Sequence, residues 1–131
     1  MPVTLRLPRR LGILLPSLDR DGIPIDAPTR LRIRNRVLTW FSRAFPGSTE
    51  DRVQIRPRLR GRWGSEAKVT VEKIEEVWSY CTAAELGRLK PSLVELAESI
   101  CQEAEQDAVA LLIDTGMEIV KKGGRNDVAP A

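Results

Sequence analysis

From Arg52 to Trp63 the chain alternates residue by residue, with Val53, Ile55, Leu59 and Trp63 in one phase and Arg56, Arg58, Arg60 and Arg62 in the other. A two-residue period with one apolar phase is the pattern of a β-strand that has one covered and one open face. Such a strand requires a partner strand and a layer to cover its apolar side. The partner follows at once. Gly61 and Gly64 in "GRWGSEAK" are turn residues, and "VTVEKIEEVWSY" resumes as a second strand, so the pair reads as a β-hairpin. The apolar parity changes between Val71 and Ile74, which predicts a bulge near Lys73.

The covering layer is written on either side of the hairpin. "RRLGILLPSL", Arg9 to Leu18, is an apolar run of strand length followed by the turn sequence "DRDG" at Asp19 to Gly22. Asp26 is placed to cap a helix with Pro28 in its first turn, and that helix runs to Phe45 before Pro46 and Gly47 break it. At 100° per residue Val37, Leu38, Trp40, Phe41, Ala44 and Phe45 share one face, with Arg32, Arg36 and Arg43 opposite. A second helix is expected from the Ser-x-x-Glu box at Ser92 to Glu95, just after Pro91, with Leu93, Leu96, Ala97, Ile100, Cys101 and Ala104 as its apolar stripe. "DAVALLID", Asp107 to Asp114, reads as a last, buried strand.

The order strand, helix, strand, strand, helix, strand predicts an α+β fold of the ferredoxin-like β-α-β-β-α-β type, with two helices on one face of a four-stranded antiparallel sheet. Residues 1–120 are expected to form one domain, and 121–131 a disordered polar tail. Neither a transmembrane run nor a secretory leader is legible, so the expected location is the cytoplasm, with Cys81 and Cys101 reduced.

Charge is divided unevenly. Residues 1–70 hold 15 Lys+Arg against 6 Asp+Glu, and 71–131 hold 6 against 12. The basic half is almost all arginine, whose planar fork suits carboxylate and phosphate. Its partner is therefore either an external polyanion or the chain's own acidic half. The sequence contains no histidine, which removes the Ser-His and Cys-His nucleophile pairs, histidine bases and the common zinc sites. The balance leans to binding without catalysis, with neither cofactor nor metal called for.

Asp21-Gly22, the segment Phe45 to Thr49 ("FPGST"), Gly61-Arg62-Trp63, a strand glutamate at Glu72 or its neighbours, and Gln106 together resemble the Phe-x-Gly-x-Thr … Gly-x-Trp … Glu … Gln pattern of a loose group of small bacterial proteins. The resemblance implies a fold and no activity, and the arginine ladder lies outside it.

Three functions compete for these features. The first is a nucleic-acid or polyanion surface made by Arg56, Arg58, Arg60 and Arg62, helped by Arg32, Arg36 and Arg43, with Trp78 and Tyr80 as stacking or interface rings. The second is a protein-interaction or homodimerisation module that joins open sheet faces or edge strands. The third is a carboxylate-dependent nuclease built on Glu72, Glu75 and Glu76. Hairpin register discriminates among them, because glutamates directly across from the arginines would neutralise the ladder.

Overall fold

The computed structural model describes residues 7–45, 53–63, 70–122 and 125–127; the side chains of 57–63, 70–73 and 125–127 are outside that description. The elements run β1 (Arg9–Leu15), α1 (Ala27–Ala44), β2 (Val53–Trp63), β3 (Thr70–Cys81), α2 (Ala83–Glu103), β4 (Ala108–Ile113), β5 (Gly116–Lys121) and β6 (Arg125–Asp127). The fold is α+β, with two helices and an antiparallel sheet in the order β2-β3-β1-β4-β5-β6. The first six elements follow the expected order. The sheet is wider than the four strands expected, because β4 folds back through Asp114 and Thr115 into β5 and β6 pairs onto that. Asp114 takes the left-handed conformation (φ 56°) that an aspartate tolerates in such a turn. The segment expected to be a disordered tail from 121 thus contributes the end of β5 and the backbone of β6.

Local chemistry sets the helix boundaries. Asp26 accepts from the Thr29 backbone N–H (3.0 Å) and hydroxyl (2.7 Å), which starts α1 where the sequence places it. The other helix departs from its expected start. It begins at Ala83, nine residues before Ser92, because Thr82 and Glu85 form a reciprocal capping box and Pro91 is carried inside the helix. A proline there removes one hydrogen bond, to the carbonyl four residues back, and the packing of Leu86, Leu93, Ala97 and Ile100 outweighs that loss.

Both helices cover one sheet face. Val77 and Cys81 of β3, Leu11 and Ile13 of β1, Leu111 of β4 and Val120 of β5 are fully buried against Ile33, Val37 and Phe41 of α1 and Leu93, Ile100 and Cys101 of α2. Polar contacts from the helices reach the same face, in Arg34–Glu75 and Lys90–Glu118. Burial pushes the Cys101 thiol up to about 11, in keeping with its expected place in the core. The apolar phase of β2 is less covered than expected. Ile55 shares the helix-side phase but is 42% exposed, because β2 is the sheet edge and the helices sit over the strands further in.

Among the described residues no element lies over the other face. None of the described helices is long and apolar enough to cross a membrane.

Candidate binding surface on the uncovered sheet face

Cross-strand partners share a face, so the register defines what the uncovered side presents. One row runs Gln54, Trp78, Gly12, Leu112 and Met117 across five strands; the next pairs Arg56, Glu76 and Leu14 on β2, β3 and β1, and Ala110 with Ile119 on β4 and β5. Tyr80 lies across from Arg10 at the end nearest the β3–α2 junction.

The arginine ladder is shorter than its sequence suggests. Arg56 faces Glu76 and Arg58 faces Ile74, but the register shifts between Leu59 and Arg62, so Arg62 falls opposite Val71. The steps from Leu59 to Arg62 span three residues against two from Lys73 to Val71, which puts the extra residue on β2 and corrects the bulge expected on β3 near Lys73. Past that point the alternation no longer keeps one phase relative to β3. Arg56 and Arg58 stay in step, whereas Arg60 falls within the irregular stretch. Glu76, only 9% exposed, is the carboxylate opposite Arg56.

The two expected rings do meet on this face. Trp78 and Tyr80 contact edge to face, with centroids 4.8 Å apart at 89°. Trp78 is 7% exposed, so it is not the open ring an interface would present; Tyr80, 45% exposed, is. Gly12 explains how Trp78 comes to lie so close. A Cβ at Gly12 would sit 2.4 Å from the Trp78 Cβ and 2.7 Å from the Val77 carbonyl oxygen, so only glycine lets β1 approach the tryptophan there.

Sequence reasoning missed Arg10. Its guanidinium carbon lies 4.3 Å from the centroid of the Trp78 ring, a cation–π contact, and its Nε is buried with no hydrogen-bond partner among the described residues. The neighbouring Asp114 carboxylate is taken by Arg9 (Nε to both oxygens, 2.9 Å) and by the Arg10 backbone N–H (3.1 Å). Those donors hold the Asp114 carboxyl below the usual carboxylate range, the Arg9 side-chain bond contributing most. The signal was present in sequence only as period-two phase, since Arg10, Gly12 and Leu14 alternate with buried Leu11, Ile13 and Leu15.

Beside this polar and aromatic end the same face is apolar. Leu14, Pro16, Ile74, Ala108, Ala110 and Ile119 line a groove of about 230 Å³.

The helix-layer arginines behave differently. Arg32 Nε pairs with Glu103 at 3.2 Å, and Arg36 pairs with the same carboxylate and with Ser99. The α1 stripe therefore finds an acidic partner on α2. Arg43 has no acidic partner among the described residues and lines an open groove with Asn35, Thr39, Trp40 and Ser92. Trp40, expected in the core, is half-buried there and donates to Ser92 Oγ at 2.9 Å.

The two described carboxylates of β3 do not converge, and the Glu72 side chain lies outside the described residues. Glu75 lies on the helix side, where it accepts from Arg34, while Glu76 lies on the uncovered side. Among the described residues no group of three or more carboxylates or thiols is placed to hold a metal ion.

No family model matches the sequence, and no curated protein does. A solved structure of a phage SAM lyase in complex with S-methyl-5′-thioadenosine superposes with a TM-score of 0.56 over 92% of this chain and 96% of that one, at 8% identity. At that identity the likeness shows a shared fold.

Proposed function

We propose that this chain is a non-enzymatic binding domain, a ferredoxin-like core widened by β5 and β6, that takes a polyanion on its uncovered sheet face. Arg10, Arg56 and Arg58 are its working cations. The observation that carries the reading is the distribution of carboxylates. Arg32 and Arg36 of the helix layer share Glu103, whereas Glu76 is the sole carboxylate among the described strand side chains of the uncovered face, which also presents Arg10, Arg56 and Lys121. Phosphate contacts of this kind supply affinity with little base preference.

The test is a binding titration of an oligonucleotide at rising salt. Three phosphate contacts to a single strand give a log–log slope of about −2, and a flat curve or no binding at low salt overturns the reading. S-methyl-5′-thioadenosine is a useful competitor because it lacks phosphate; polyanion binding predicts that it displaces nothing.

A second reading rests on the apolar half of the same face. The groove from Leu14 to Ile119 favours a homodimer that joins open faces. In that case the mass measured by light scattering doubles across the micromolar range, and a constant monomer mass counts against it.

A further inference from the structure

We infer that the polyanion is a single-stranded nucleic acid, with Arg10, Trp78 and Tyr80 acting as a base-stacking station; this rests on the polyanion reading of the same face. A surface that recognised charge alone would need cations at a suitable pitch and nothing more. Here one cation is instead laid over a ring. The Arg10 guanidinium sits 4.3 Å from the Trp78 centroid, and Trp78 is held against β1 by the absence of a side chain at Gly12. Contact with the ring restricts the guanidinium, and a guanidinium plane stacks on bases in the way an aromatic ring does.

Tyr80 completes the station. It stands at 89° to Trp78 and directly across from Arg10, and it is 45% exposed, so it offers ring surface that Trp78 does not. Along β3 the Tyr80 position and the row of Arg56 are four residues apart, about 13 Å. A strand a few nucleotides long spans that distance, placing a base at Tyr80 and a phosphate at Arg56. A duplex keeps its bases stacked on each other and cannot offer one to an exposed tyrosine.

The experiment compares a 12-nucleotide single strand, the same sequence as a duplex, and inorganic polyphosphate, each titrated against the full chain. Stacking predicts that the single strand binds tightest and that Tyr80→Ala weakens it about tenfold while leaving polyphosphate unchanged. Tyr80→Phe keeps the ring and retains the affinity. Arg10→Lys keeps the charge but not the plane and behaves like Tyr80→Ala on the single strand. Because Tyr80 and Arg10 both pack on Trp78, unchanged melting temperatures of Tyr80→Ala and Arg10→Lys secure the comparison. Equal affinity for all three ligands with no effect of Tyr80→Ala overturns the stacking station and leaves the polyanion reading standing. No salt-dependent binding to any of them overturns both.

Discussion

The helix layer and the uncovered sheet face both carry arginines from the basic half of the chain, yet the fold treats them in opposite ways. On α1, Arg32 and Arg36 close onto Glu103 of α2, so two cations share a carboxylate that is 23% exposed and help fix how the helices pack. On the sheet, Arg56 faces Glu76, and Arg10, whose buried Nε has no acceptor among the described residues, rests on a tryptophan. A run of arginines therefore has no fixed meaning until it is known what lies opposite. The helix pair is internal pairing between the basic and acidic halves of the sequence. Under the proposed function, the sheet pair is what remains for a ligand.

That comparison can be broken or sharpened by substitution. The largest effect is expected at Gly12, on which the geometry of the sheet end depends. Gly12→Ala forces a Cβ into the Trp78 Cβ and the Val77 carbonyl, neither of which is a flexible chain end, and should cost about 1–3 kcal/mol in urea unfolding. It should also remove oligonucleotide binding by displacing Trp78 from beneath Arg10. A stable Gly12→Ala protein with intact binding would show that the close approach is dispensable.

Next in size, Glu76→Gln removes the carboxylate across from Arg56 and should raise oligonucleotide affinity about two- to fivefold at low salt, converging with the parent at high salt. Unchanged affinity would mean that Arg56 is not a contact. Glu103→Ala should act on stability alone. It leaves two arginines unpaired on α1, but both are substantially solvated, so the expected loss is at most about 1 kcal/mol, with binding unaffected. A gain in polyanion affinity in this variant would show that the helix-layer arginines had been held back from the same ligand.

The smallest effect is a matter of pH. The Arg9 hydrogen bond, with the Arg10 backbone N–H behind it, lowers the folded-state pKa of Asp114, and Thr29 does the same for Asp26. A carboxyl whose folded pKa is depressed contributes stability that is fully present above the unfolded value near 3.9 and is lost as pH falls through the lower folded value. Asp114→Asn should therefore melt less steeply with acid below about pH 4 than the parent does. Identical acid profiles would remove Asp114 from the account.

Much of this was legible in the sequence where a local rule was sufficient. Asp26 and Pro28 mark the start of α1, the alternation from Arg52 marks β2, and the six-element order follows from periodicity. The start of α2 was hidden because two capping boxes compete, Thr82 with Glu85 and Ser92 with Glu95, and Pro91 appeared to decide for the second. A proline inside a helix is tolerated when packing on both sides outweighs one lost bond, which is a tertiary property. The β4–β5 hairpin had a signal in "IDTGM", a turn between apolar runs.

The candidate site was half legible. Trp78 and Tyr80 are two residues apart on one strand, so their meeting follows from the strand itself. The break in the ladder after Leu59 is set by pairing with β3, and the Arg32 and Arg36 contacts to Glu103 are set by helix docking. Neither can be read one strand or one helix at a time. Arg10 lies in an ordinary basic start to β1, and its contact with Trp78 exists only because Gly12 brings Trp78 up against that strand.

The most direct measurement places the two arginine sets in one salt titration of a single-stranded oligonucleotide, Arg10→Ala/Arg56→Ala against Arg32→Ala/Arg36→Ala. The predicted result is that the sheet-face pair loses about 1.4 from the log–log slope, two contacts at about 0.7 each, while the helix pair keeps the parental slope and loses only thermal stability. The opposite outcome, a shallower slope from the helix pair and none from the sheet pair, would contradict the account and move the working surface to the helices.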